Sequence, residues 1–179
     1  MGTSSCWPMA HGEVERAAAH EPGALHPVRK DEGDMNFFVN GEPTPKGSMR
    51  GFFHAKLKRH IMTNANKHTK AWEALVAEMA MHGMGTSAAI AKPTPLLVEL
   101  RFVLSRPASH TTPRGRLRKG FPAWPIGRKA DIDKLARSTL DAMAEIVFEE
   151  DSQVCYLKCT KKYAGVGEAP GVHVIVEPI

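Results

Sequence analysis

The sequence predicts an α+β fold, with one mixed β-sheet and two main helices packed on it. Three observations lead there. Short runs with strand-like alternation occur early, in the middle and late in the chain. Two longer stretches carry apolar residues at helical spacing. Their order is strand, helix, strand, helix, strand, strand, so helices fall between strands and share one sheet with them.

Met-Asn-Phe-Phe-Val-Asn, residues 35–40, opens the ordered part as a strand, closed by Gly41-Glu42-Pro43. A basic loop is expected from Thr44. The first helix is expected from about Asn66 to His82, with Trp72, Leu75, Val76 and Met79 on one face and Gly83 and Gly85 ending it. Pro95–Leu104 alternates as a strand, Leu96, Val98, Leu100, Phe102 and Leu104 forming its apolar face. Ser105–Lys129 has four prolines and three glycines and reads as a long mobile loop whose basic centre is Arg114-Gly-Arg-Leu-Arg-Lys119. Ile132–Val147 is expected as the second helix, burying Leu135, Thr139, Ala142, Met143 and Ile146. Ser152–Lys162 and Gly171–Glu177 are the last strands.

Residues 1–34 show no sustained apolar period and read as a disordered tail, weakly helical around Val14–Ala19, leaving 35–179 as the folded domain. No apolar run is long enough to span a membrane, and a secretory leader pattern is missing. Cys6, Cys155 and Cys159 fit neither a disulfide framework nor a zinc site. Plain thiols in a reducing, cytoplasmic setting are the expectation.

Net charge is +5, but its distribution says more. The first 34 residues hold three basic and six acidic side chains; the rest hold 21 and 13. No acid lies between Glu42 and Glu73, or between Glu99 and Asp131, yet these two stretches contain 15 of the 24 Lys and Arg residues. Such acid-free basic stretches point to a polyanion. The candidate DNA contacts are Lys46, Arg50, Lys56, Lys58 and Arg59 in the first, and Arg114, Arg116, Arg118 and Lys119 in the second, with Lys134 just beyond. His54, His60 and His68 suit surface or phosphate-proximal roles. Phe52-Phe53 is expected in the core or a dimer contact, with base stacking as the alternative; Trp124 is a further candidate wedge.

Lys129-Ala-Asp-Ile-Asp-Lys-Leu-Ala-Arg137 and Glu149-Glu-Asp-Ser-Gln153 carry the chemistry. Asp131 and Asp133 share a face if the chain enters the helix extended. A strand leaving the later loop beside the helix start would add Asp151. Three clustered carboxylates repel one another unless a hard divalent cation neutralises them. Read as isolated motifs, they are also compatible with Asp133 as a helix cap and an acidic turn at 149–151. Asp141, four residues after Arg137, is expected to pair with it along the helix.

The combination resembles the RusA-type Holliday-junction resolvases. It comprises Asp-x-Asp, a basic residue four further on, Leu140-Asp-Ala142, an acidic pair before Ser-Gln-Val, Phe38-Val-x-Gly-x-Pro43 and Lys161-Lys162. The resemblance covers roughly Met35–Ile179. It implies a small homodimeric endodeoxyribonuclease, bacterial or phage-encoded and often from a prophage, acting in DNA recombination and repair. Such enzymes nick four-way DNA symmetrically with Mg²⁺, for which Mn²⁺ can substitute, and use no small-molecule cofactor. By position it makes Asp131, Asp133 and Asp151 the metal ligands and Arg137 the catalytic cation. The chain departs from the pattern with Lys134 for Asn, Arg137 for Lys and Glu150 for Asp. A branched-DNA-binding protein with little or no cleavage is the alternative those departures keep open.

Overall fold

Alternation along a strand sends successive side chains to opposite faces, and here one of those faces is closed by two helices. A computed structural model describes residues 35–47, 49–64, 68–126 and 130–179. The expected tail 1–34, with Cys6, lies outside the described residues, as do Asn66, Lys129 and the side chains of Arg50 and Phe52.

The main sheet has four strands: β1 (Met35–Asn40), β4 (Leu96–Leu104), β5 (Val154–Tyr163) and β6 (Gly171–Pro178), in the order β1-β6-β4-β5. The β1/β6 and β6/β4 pairs are antiparallel and β4/β5 is parallel, so the sheet is mixed as expected. Helices α1 (Thr69–Met84) and α2 (Ile132–Met143) contribute to the core that covers one face. There Leu96, Val98, Leu100 and Phe102 meet Val172, Val174 and Val176, Phe37 and Val39, Trp72, Val76 and Ala80, and Leu135, Ala142 and Met143. Fully burying one such side chain stabilises the fold by about 1.5–3 kcal/mol.

Three boundaries differ from the sequence expectation. The segment after Thr44 is not only loop: β2 (Met49–His54) and β3 (Arg59–Asn64) form a separate antiparallel hairpin. Phe53 lies on it, 57% exposed and edge-on to His60, and is therefore no core residue. Gly83 lies inside α1 rather than ending it. A Cβ there would sit 3.2 Å from the Met35 side chain, so its absence lets helix and β1 approach closely. The stop comes at Gly85, φ +58°. Finally, α2 ends at Met143. Ala144 is extended and Glu145 takes φ +66°, while Val147 and Phe148 stay fully buried in the turn that follows.

The strand β5 is an edge. Its residues are mostly exposed, Tyr156 (64%) and Leu157 (47%) included. Lys158, Lys161 and Lys162 interrupt its apolar character, as is usual for an edge that must not pair at random. Cys155 and Cys159 are free thiols, and burial pushes Cys159 up to about 11. No described helix is long and apolar enough to cross a membrane.

Candidate active site

Helix α2 begins beside the far end of β5. Ala130 takes the left-handed conformation, φ +55°, which costs a non-glycine residue roughly 1–2 kcal/mol. Lys161 Nζ holds it there by donating to the Ala130 carbonyl at 2.9 Å. Asp131 follows in an extended conformation at the helix cap position, and Leu135 N donates to its carbonyl at 3.0 Å. Its carboxylate makes no cap hydrogen bond. Asp133 lies in the first helical turn. Both acids are exposed.

Lys134 sits between them. Its Nζ donates to Asp131 Oδ2 at 2.5 Å, and its ammonium is further stabilised by the charge of Asp133. That hydrogen bond holds the Asp131 carboxyl below the usual range, with Lys161 adding a smaller effect. Two hard oxygen donors facing solvent, with room for water, suit Mg²⁺, which commonly takes one or two carboxylates and keeps waters or phosphates.

Asp151 is not with them. It opens a short 3-10 turn, Asp151–Gln153, at the start of β5, while Asp131 is docked near that strand's end. The 12 residues of α2 alone span about 18 Å. Among the described residues no group of three His, Cys, Asp or Glu side chains is close enough to hold a metal. Gln153 fixes this turn. It is buried, its Oε1 accepts from Glu150 N at 3.0 Å, and its Nε2 donates to the carbonyls of Ile90, Ala91 and Thr94. Glu150 pairs with Lys92, which keeps its carboxyl below the usual range. Asp151 itself stays exposed.

Arg137 is exposed on α2, one turn after Asp133. The expected pairing with Asp141 is not made: Asp141 pairs with Lys46 instead, because the strap 43–46 lies across the helix. Ser138 Oγ donates to the Thr44 carbonyl at 2.8 Å, Lys46 N donates to the Lys134 carbonyl at 2.9 Å, and Thr69 Oγ1 donates to the Pro45 carbonyl at 3.2 Å. The strap is thus tied to both helices. Lys56, Lys58 and Arg59 lie exposed at the hairpin turn and the start of β3. Lys46 is paired with Asp141 in the protein alone.

The segment 105–126, expected as a mobile loop, is held by several contacts. Arg106 Nε donates to the Ala164 carbonyl at 3.0 Å and Nη1 to the Pro122 carbonyl at 3.1 Å. His110 lies against both Phe121 and Tyr163. Thr111 and Leu117 bridge across a turn carrying Arg114 and Arg116, both exposed, with Arg118 and Lys119 following. If this turn contacts phosphate, replacing Arg114, Arg116 and Arg118 by Ala weakens DNA binding. It also lowers the slope of log affinity against log salt by about two to three. A titration at several salt concentrations measures it, and an unchanged slope removes the turn from the DNA surface.

Sequence reasoning did not assign roles to Lys161, Gln153 or Ser138 at this site. Their work is done through backbone carbonyls distant in sequence, and only the fold reveals those partners.

A family model described as "Endodeoxyribonuclease RusA" matches residues 40–177. A relative in Bacillus subtilis (strain 168), "Uncharacterized protein YqaN", is 28% identical over 146 residues, covering 81% of this chain and 96% of its own length.

Proposed function

This chain belongs to the RusA family of Holliday-junction endodeoxyribonucleases, and from that premise we propose that it cuts four-way junctions by paired symmetric nicks, as a homodimer, with Mg²⁺ held by Asp131, Asp133 and Asp151. The observation that carries the dimeric part is the separation of the acids to opposite ends of β5, an edge strand whose outer side is taken at Tyr163 by the Ala123 carbonyl. Two copies joined edge to edge about a two-fold axis run their β5 strands antiparallel. The start of each strand then lies beside the end of the other. The partner's Asp151 thereby meets Asp131 and Asp133, and two equivalent sites arise, as paired nicks require.

When bound, Mg²⁺ supplies an activated water and neutralises charge on the phosphate. The chain's own residues do the rest. Asp131 and Asp133 present oxygens from a helix start that Lys161 holds in place. Lys134 exchanges its contact with Asp131 for one with the DNA backbone as the strand arrives. Arg137 donates to a non-bridging phosphate oxygen and stabilises the extra charge of the transition state. Its guanidinium stays protonated, so it acts by charge and not by proton transfer.

The test is a synthetic four-way junction with end-labelled strands. The expected products are two nicks at symmetric positions, formed with Mg²⁺ or Mn²⁺ and suppressed by chelation. Binding without nicks under either metal would overturn the nuclease reading in favour of a branch-binding protein.

A further inference from the structure

The segment just before the acids presents large apolar side chains to solvent. Trp124 is 54% exposed and Ile126 is 87% exposed, with Phe121 (42%) close by in sequence. Exposing a tryptophan and an isoleucine so near each other needs an explanation. They are not on a freely moving tip. Tyr163 N donates to the Ala123 carbonyl at 2.8 Å, Arg106 holds the Pro122 carbonyl, and Pro125 is buried between the two exposed residues.

The same end of β5 fixes the acids. Tyr163 anchors Ala123, and Lys161, two residues earlier, anchors Ala130. Both anchors therefore stand at positions two apart on one strand. Trp124 directly follows one anchored residue and Asp131 the other. The surroundings select a polyanion: between Glu99 and Asp131 there is no acid, and Arg114, Arg116, Arg118 and Lys119 lie on the same segment.

We propose that Trp124, flanked by Ile126, is a wedge that stacks on the base bordering the branch point, next to the phosphate addressed by Asp131 and Asp133, and so gives preference for branched over continuous DNA. This rests on the nuclease reading above and adds a residue to it. Base pairs at a branch have an open stacking face; those within a duplex do not. A fixed indole therefore gains contact only at a branch, and the contact tolerates any base because every base has a π-face.

The test uses the full chain carrying Asp131→Asn, which keeps the DNA intact, and a four-way junction with 2-aminopurine beside the crossover. Fluorescence change on binding and the ratio of junction to duplex affinity are the readouts. Adding Trp124→Ala removes the fluorescence change and lowers the affinity ratio by about tenfold or more, with duplex affinity unchanged. Trp124→Phe retains most of both, and Ile126→Ser reduces both partly without touching the indole. The wedge is overturned if Trp124→Ala keeps the full junction preference. It is also overturned if Trp124→Ala instead splits a dimer in sedimentation, which would assign the patch to a second copy. Equal binding of junction and duplex with Trp124 intact would also overturn the wedge, whereas the nuclease reading fails separately, if the wild-type chain leaves the junction without nicks under both metals.

Discussion

Asp131→Asn and Asp151→Asn each lower junction cleavage by on the order of a thousandfold or more, and mixing the two inactive proteins restores about a quarter of the wild-type sites. The first effect follows from losing a carboxylate that neutralises a divalent cation, worth several kcal/mol at the transition state. Junction binding survives or tightens in both variants, because each removes a negative charge facing phosphate. The second effect follows from the geometry of β5. With Asp131 at its far end and Asp151 at its start, a site assembled between two copies draws Asp131 from one and Asp151 from the other. In a mixed dimer one site collects both substitutions and the other collects neither. Random exchange makes about half the dimers mixed, each with one working site of two. The product also changes character, from paired nicks to single ones. Complete inactivity of the mixture, with subunit exchange verified, would mean that each chain builds its site alone. Wild-type rates in either single variant would remove that acid from the site.

Arg137→Ala lowers turnover about 10²–10³-fold, the typical cost of losing one preorganised donor to a developing negative charge. Junction affinity falls far less, since one exposed cation among many contributes little to the bound ground state. Arg137→Lys stays active or gains activity, because an ammonium keeps the charge and can also give a proton to the leaving oxygen. The plain alternative, a helix-surface pair with Asp141 worth about 0.3–0.5 kcal/mol, has lost its partner: Asp141 is engaged by Lys46. Single-turnover cleavage with saturating enzyme separates the two roles. A near-normal rate for Arg137→Ala would leave it no part in the chemistry.

Three strands of the main sheet were legible from an apolar face, as in Leu96 to Leu104, where every second side chain is buried, and β5 from its alternation alone. The β2/β3 hairpin was not. Its strands mix Arg, Gly, His and Asn with the apolar residues, and its turn, Ala55-Lys-Leu-Lys58, lacks glycine or asparagine; Lys58 takes the positive φ itself. The end of α2 falls earlier than expected because Ile146 and Val147 continue its apolar period, though Val147 is buried, and Ile146 partly buried, from a turn and not from a helix. At the site, the place of Asp131 and Asp133 at the start of α2 was visible in the sequence. The place of Asp151 was not, because spacing along a chain does not reveal at which end of a neighbouring strand a loop will fall. That depended on α2 running antiparallel to β5, which no local pattern encodes.

Ser138 is a small buried hydroxyl, yet its bond to Thr44 ties the strap to the helix that carries Asp131, Asp133 and Arg137. Replacing Ser138 by Ala would leave the Thr44 carbonyl without that donor and loosen the strap from the helix, at a cost of about 0.5–1.5 kcal/mol.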